Sequence, residues 1–353
     1  MRMTVLASGS KGNSTVVASA HTRLLIDAGL SCRELLKRMA IAGEDPASLS
    51  AILITHEHQD HVSGLATLAR RLRIPVYFTE PTHRAWVRMV TPRTTMTYAE
   101  WLDHVQREKE TRAAQTAAAQ SAAAESGDSG VLGAPFTGPS SSWVGIESPT
   151  AAAVGTLTAS ADPAVEDPDP DEDSEMTATK PDPAFLPAVE YFSAGAAFAI
   201  GDIAVTPFTI PHDAADPCGF VFESRAERAR MAVATDLGYV PPNVKAALRR
   251  VDVLLLESNH DLEMLRDGPY PWSVKQRVLS RVGHLSNLAA AEFLAGDYDG
   301  CATYIVLGHL SEQNNAPELA LLAAEQALIG RMSLLGNRVL LARQDAPLAP
   351  ISL

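Results

Sequence analysis

His56, His58, Asp60 and His61 place three imidazoles and a carboxylate within six residues, directly after the apolar run Ala51-Ile52-Leu53-Ile54. A buried strand ending in such a cluster aims several nitrogen and oxygen donors at one place. Neutral imidazoles packed that closely compete for hydrogen-bond partners, and a divalent cation satisfies them together. The spacing separates this pattern from a zincin helix, which carries histidines four apart around a Glu; four residues after His56 stands Asp60. The motif reads H-x-H-x-D-H and is expected on a loop. Two-residue periodicity puts His56 and His58 on one side, with Asp60 and His61 turned toward a second ion.

Two cations need further donors, and His212, Asp236 and His309 each follow an apolar run farther along the chain. The expected assignment gives one ion His56, His58 and His212, and the other Asp60, His61 and His309. Asp236 bridges them, because a carboxylate can span cations about 3.5–4 Å apart. A hydroxide held between the ions would be a nucleophile at neutral pH, since metal binding lowers the pKa of water toward about 7. Nitrogen and carboxylate donors without a thiolate set suit Zn²⁺ or Mn²⁺. A purely structural zinc closes with four ligands, so a ligand set this large speaks against a non-catalytic scaffold.

The elements that position these groups read as an α/β chain. Met3–Ala7, Ser14–Ala20 and Leu24–Ile26 are expected strands, the last running into Asp27. Cys32–Met39 has helical spacing, Ala51–Thr55 is the strand that delivers the histidines, Gly64–Leu72 the helix after it, and Ile74–Phe78 the next strand. Strand patterning resumes at Ala197–Ile200, Ile203–Ile210, Phe220–Glu223, Arg230–Ala234 and Val251–Leu256. It continues at Arg277–Val282 and Tyr304–Leu307, with a helix expected over Leu288–Leu294. Between residues 103 and 188 the chain is Ala/Gln/Ser-rich, then Gly/Ser/Pro-rich, then acidic and Pro-rich. Apart from a helix over Tyr98–Glu110 that the alanine tract would extend, this insertion is expected to be disordered, acting as a spacer or as an acidic segment that mimics nucleic acid. The expected division is therefore 1–102 and 189–353 as two halves of one domain, with 103–188 inserted.

Thirteen acidic residues against Arg112 and Lys180 give residues 111–190 a net charge of −11, out of −13 for all 353 residues, so the remainder is nearly neutral at −2. Bulk acidity therefore says little about the substrate. No apolar run approaches the roughly 20 residues of a membrane helix. The early glycine and polar residues do not form a secretory h-region. Three scattered cysteines make a disulfide framework improbable, so a cytoplasmic setting is expected.

Thr55–His61, Asp27, His212, Thr235-Asp236 and His309, in this order, resemble the metallo-β-lactamase superfamily. Several further motifs are similar to its YycJ/WalJ group: Ser8-Gly9-Ser10-Lys11-Gly12-Asn13-Ser14, His212-Asp213-Ala214, Glu257-Ser258-Asn259-His260, Tyr270-Pro271 and Gly283-His284-Leu285-Ser286-Asn287. The resemblance covers about 1–102 and 189–353 and implies a four-layer αβ/βα sandwich with a dinuclear site at the sheet edges. It implies a DNA exonuclease, with DNA as the substrate partner and no membrane partner; self-association into a homo-oligomer is left open. His284 resembles the Gly-His-Ser-Thr histidine of RNase Z, which sits beside the metals and helps protonate the leaving oxygen. A helix cap at Gly283–Asn287 is the plainer alternative, and His284 and His309 could exchange roles as ligand.

Beside the catalytic set Asp60, Asp236 and His284, several residues are expected to orient ligands or touch substrate. Asp27 would orient a ligand histidine. Ser10 and Asn13 lie in a Gly-rich turn that could face phosphate but lacks the P-loop pattern. Glu257, Asn259, Ser286 and Asn287 complete this set. His260 is as readily a satisfied structural histidine, and Trp86, Trp101 and Trp272 are expected to pack. The competing functional reading keeps the same machinery but takes a small phosphodiester, such as a cyclic nucleotide, or another ester.

Overall fold

The computed structural model describes residues 1–91, 182–331 and 338–353. Its first half comprises β1 (Arg2–Ala7), β2 (Ser14–Ala18), β3 (Arg23–Ile26), α1 (Cys32–Ile41), β4 (Ala51–Leu53), α2 (Gln59–Val62), α3 (Leu65–Leu72), β5 (Val76–Phe78), α4 (Glu80–Val90) and β6 (Val189–Tyr191). The second half comprises β7 (Phe198–Ile200), β8 (Ile203–Thr209), β9 (Cys218–Ser224), β10 (Ala229–Ala234), α5 (Pro242–Ala247), β11 (Val253–Glu257), α6 (Leu262–Asp267) and α7 (Trp272–Val278). It ends with α8 (Asn287–Gly296), β12 (Tyr304–Gly308), α9 (Pro317–Leu328), β13 (Arg338–Leu341) and β14 (Ile351–Ser352).

Among the described residues these strands form two seven-stranded sheets, ordered β14-β1-β2-β3-β4-β5-β6 and β13-β12-β11-β10-β9-β8-β7. Each sheet pairs antiparallel at one end and parallel at the other: β3, β4, β5 and β6 are parallel neighbours, as are β10, β11, β12 and β13.

Period-two alternation explains the layering. Leu24, Ile26, Ala51 and Leu53 turn into a core shared with Phe220, Phe222, Met231, Val233, Val253 and Leu255 of the second sheet. Their sequence neighbours Leu25, Ile52 and Ile54 turn outward against Leu35, Met39, Leu65, Leu68 and Trp86 of the first set of helices. On the other side Ala232, Ala234, Leu254 and Leu256 meet Val244, Ala290, Phe293, Ala320 and Ala324 of the second set. The result is helices, sheet, sheet, helices: the four-layer sandwich. Each fully buried Leu or Ile in these layers contributes roughly 1.5–3 kcal/mol. Among the described residues no helix is long and apolar enough to cross a membrane.

Several local expectations change. The strand expected over Ala51–Thr55 ends at Leu53, because the Thr55 N–H donates to the Asp27 carboxylate (2.8 Å) rather than to a neighbouring strand. Asp60 and His61 lie not on a loop but on α2, a single helical turn with His58 at its N-cap. Arg277–Val282 is no strand: it is the end of α7 and a turn. There the Lys275 ammonium is drawn inward by the carbonyls of Arg266 (2.6 Å) and Gly268 (2.8 Å). Of residues 103–188, only 182–188 are described, and Leu186 in that stretch is buried against the first sheet's outer core. The expected helix over Tyr98–Glu110, Trp101 and the acidic tract lie outside the described residues.

Candidate metal centre

The site gathers at the C-terminal ends of the central strands. Asp27 follows β3, the histidine motif follows β4, Asp236 follows β10, Glu257 ends β11 and His309 follows β12. His212 comes from the loop after β8 and His284 from the turn before α8. Asp27, Asp236 and His309 adopt left-handed backbone angles (φ 60°, 61° and 55°), a region that non-glycine residues seldom enter. Strain of this kind persists only where surrounding structure enforces it, and each of these three carries a site side chain.

Hydrogen bonds on one ring nitrogen decide what the other can do. The Thr55 hydroxyl donates to Asp27 (2.8 Å), so its lone pair accepts the Nδ1–H of His56 (3.0 Å). His61 donates Nδ1–H to Asp27 (2.7 Å), His212 donates Nδ1–H to the Gly283 carbonyl (3.1 Å), and His58 donates Nε2–H to the Asp213 carbonyl (3.2 Å). His309 donates Nδ1–H to Glu257 (2.9 Å). Five imidazoles are thus anchored on one nitrogen, each with the other turned into the site, where His61 and His309 offer a lone pair once a cation takes the place of the proton.

Those lone pairs converge. His58 Nδ1 and His212 Nε2 face each other at 3.2 Å, two acceptors with no proton of their own to share. With metal–nitrogen bonds of about 2.0–2.1 Å, two corners of a tetrahedron lie roughly 3.3–3.4 Å apart. His56 Nε2 and Asp236 Oδ2 are buried without a hydrogen-bond partner. Potential ligand atoms of His56, His58 and His212 lie within 4.8 Å of one another, as do those of Asp60, His61 and His309, and those of His56, His61 and Asp236. Asp236 stands between the groups, 3.4 Å from His61 Nε2 and from His309 Nε2, and 3.9 Å from His212 Nε2. The donor set fits divalent cations.

The electrostatics carry the same message. Burial drives His56 well below the ordinary imidazole range and lowers His212 as well, so both are neutral donors. Burial also opposes charge on His61 and His309, but Asp236, Asp60 and the other nearby carboxylates overcome it and hold both well above the ordinary range. Burial works against charge on Asp60 too; His61 and His309 outweigh it and keep that carboxylate well below its usual value. Protons on two imidazoles here balance buried carboxylates, a role divalent cations can take over.

Glu257, expected to orient a ligand or touch substrate, serves two histidines at once. Fully buried, it accepts Nδ1–H from both His284 (2.8 Å) and His309 (2.9 Å) on one oxygen. Its other oxygen accepts from the backbone N–H groups of Leu237 and Leu285. Asn259 fixes His309 from behind by donating to its carbonyl (2.8 Å), and the Ser8 hydroxyl accepts the His309 N–H (2.7 Å). Asn13 donates to Asp60 Oδ2 (3.1 Å) and accepts from Gly9 N–H (2.9 Å), tying the Gly-rich turn to the histidine motif.

A cleft of about 230 Å³ opens onto this centre, lined among others by Ser10, His58, Asp60, Asp236, Asn259, His284 and His309. Ser286 and Asn287 are not brought into it. Ser286 caps α8 by accepting from Ala289 N–H (3.1 Å), and Asn287 is bound to Ser258 (2.6 Å) and Asn315 (2.7 Å). His260 is buried with neither ring nitrogen paired, so it is not the satisfied histidine that the sequence suggested. Trp86 packs as expected, but Trp272 is 66% exposed. Lys11, beside Ser10, pairs with Glu312 (2.7 Å). Asp213, Tyr270 and Arg277 also stand at the cleft or its edge; none is among the site residues expected from sequence, although His212-Asp213-Ala214 and Tyr270-Pro271 stand among the motifs of the resemblance, and Arg277 has no signal of its own.

A family model described as the metallo-β-lactamase superfamily matches residues 7–274. The chain belongs to that superfamily. Within it, the chain is 30% identical over 328 residues to exodeoxyribonuclease YycJ of Bacillus anthracis, covering 93% of this chain and 89% of that protein. It is 28% identical over 319 residues to exodeoxyribonuclease WalJ of Streptococcus pneumoniae, covering 90% and 85%. The crystal structure of the metallo-β-lactamase fold protein YhfI from Bacillus subtilis matches with a TM-score of 0.53 at 12% identity, over 98% of each chain. Superfamily membership and the converging donors make this chain a metal-dependent hydrolase.

Proposed function

We propose that the chain is a dinuclear metal-dependent phosphodiesterase that degrades DNA from an end. His56, His58 and His212 would hold one divalent ion, Asp60, His61 and His309 the other, and Asp236 would bridge them. The observation that carries the reading is His284. It lines the cleft next to Asp236 (3.9 Å), yet its Nδ1 is committed to Glu257. Its Nε2 remains to hand a proton to a departing alkoxide, and the Glu257 carboxylate stabilises the imidazolium that precedes the transfer. Asp60 and Asp236 are the carboxylate acceptors in the cleft that can orient attacking water. Bound Zn²⁺ or Mn²⁺ would supply Lewis acidity against the phosphate charge and lower the pKa of water toward about 7. DNA as substrate is supported by the names of the YycJ and WalJ relatives.

A small phosphodiester is the second reading, and the cleft itself favours it. The space is only about 230 Å³, and Arg277 is the one Lys or Arg among its lining residues. The deciding experiment uses demetallated protein resupplied with Mn²⁺ or Zn²⁺, on end-labelled linear duplex and on closed circular DNA. Progressive shortening of only the linear DNA, lost in Asp236→Asn with the fold retained, is the expected result and reports the polarity. No cleavage of either DNA, with two ions bound per chain, would transfer the assignment to a small phosphodiester.

A further inference from the structure

Four of the residues that line the cleft come from one short stretch: Tyr270, Val274, Arg277 and Val278, just before and along α7. Val274, Arg277 and Val278, three and four residues apart, share one face of α7, and Tyr270 stands in the bend just before the helix, lining the same cleft. Arg277 is anchored through Nε to Asp213, the residue after His212, so its guanidinium is held in register with the metal donors. This pair is more than half exposed on the Arg side, so it contributes little to stability. The two terminal nitrogens of Arg277 have no partner among the described residues, which leaves a planar edge suited to a phosphate. The half-buried Tyr270 ring stacks on no other ring among the described residues. An unoccupied ring just before α7 and a tethered guanidinium on it, both lining a phosphodiester-cleaving cleft, match the two ends of a nucleotide.

We propose that this wall of the cleft, formed by α7 and the bend before it, holds one unpaired nucleotide of the substrate strand, its base stacked on Tyr270 and its phosphate on Arg277. The proposal rests on the DNA reading and adds to it that the strand enters single-stranded. A ring can cover a base only where no neighbouring base does, and a cleft this size excludes a duplex. It also implies tolerance of sequence, since every base offers a π-face.

The test compares a metal-loaded enzyme series on two end-labelled single strands: one natural, one with abasic residues near the cleaved end. Tyr270→Ala should raise KM on the natural strand by about 5- to 150-fold, with little change in kcat. On the abasic strand the rise should be at least fivefold smaller. Tyr270→Phe should restore the natural strand. Arg277→Ala should weaken both strands alike and flatten the dependence of log KM on log salt by about 0.7, the share of one single-strand phosphate contact. Should Tyr270→Ala fail to fold, Tyr270→Leu keeps the apolar bulk without the π-face. Equal losses on both strands, or an unchanged salt slope in Arg277→Ala, overturn the proposal while the DNA reading stands. If the wild type cuts neither strand, the DNA reading falls and the proposal with it.

Discussion

Glu257 shows how much of this site depends on a single buried carboxylate. It orients a ligand candidate, His309, and the proposed acid, His284, through the same oxygen. Glu257→Gln keeps the shape but removes the charge that supports an imidazolium. We expect kcat to fall by about 10²-fold or more and metal affinity by about 10- to 100-fold, followed by kinetics and chelator competition. Values within twofold of wild type would show that neither histidine depends on the carboxylate. His260 allows a second prediction. With neither nitrogen paired, burial lowers its pKa from the ordinary 6.5 to about 4. A folded-state pKa below the unfolded one means that the unfolded chain takes up the proton first as pH falls. Stability present above pH 6.5 is therefore lost progressively toward pH 4, by roughly 3 kcal/mol. His260→Leu should remove that part of the acid sensitivity in urea titrations of the metal-free protein; an identical pH dependence in both proteins would refute it.

At the scale of elements, the site depends on how closely loops from different strands approach. A Cβ on Gly29, in the turn after β3, would lie 1.7 Å from the Asp60 carbonyl and 2.6 Å from the Asn13 nitrogen. Gly29→Ala must push the two loops apart, at a cost of about 1–3 kcal/mol, and should weaken binding at the Asp60 side. Metal stoichiometry read beside the denaturation midpoint checks this; full occupancy at unchanged stability would contradict it. The N-terminus of α8 behaves differently, because Ser286 serves the helix and not the cleft. Ser286→Ala should cost about 1 kcal/mol and leave kcat/KM within twofold. A large loss of activity at unchanged stability would return Ser286 to the substrate.

At the scale of the whole molecule, the two sheets meet at the donors. The first sheet contributes His56, His58, Asp60 and His61, and the second His212, Asp236 and His309. Cations shared between them would tie the layers together. At free metal a hundredfold above Kd, one site adds about 2.7 kcal/mol, which for a chain of this size raises Tm by roughly 4–5 °C. Chelation should therefore lower Tm by that order, and Zn²⁺ or Mn²⁺ should restore it. A Tm indifferent to chelator, with the ions demonstrably removed, would deny them a structural share.

The candidate donors were legible in the chain, since His56, His58, Asp60, His61, His212, Asp236 and His309 all follow apolar runs, and the structure brings them together. So were most strands, because period-two alternation and β-branched runs are local properties that survive folding. The missed or misread pieces have a common cause. Ala51–Thr55 was cut short by a carboxylate 28 residues away, and Arg277–Val282 became helix and turn where Lys275 was drawn inward. Only the tertiary structure decided which nitrogen of each imidazole is free. That choice is made by acceptors far along the chain: Gly283 for His212, Asp213 for His58, Asp27 for His61. It also brought Glu257 to two histidines 27 and 52 residues distant, and set Arg277 beside the candidate ligands. Spacing along a strand settles which side a residue leaves from; what it meets there depends on segments that local sequence does not encode.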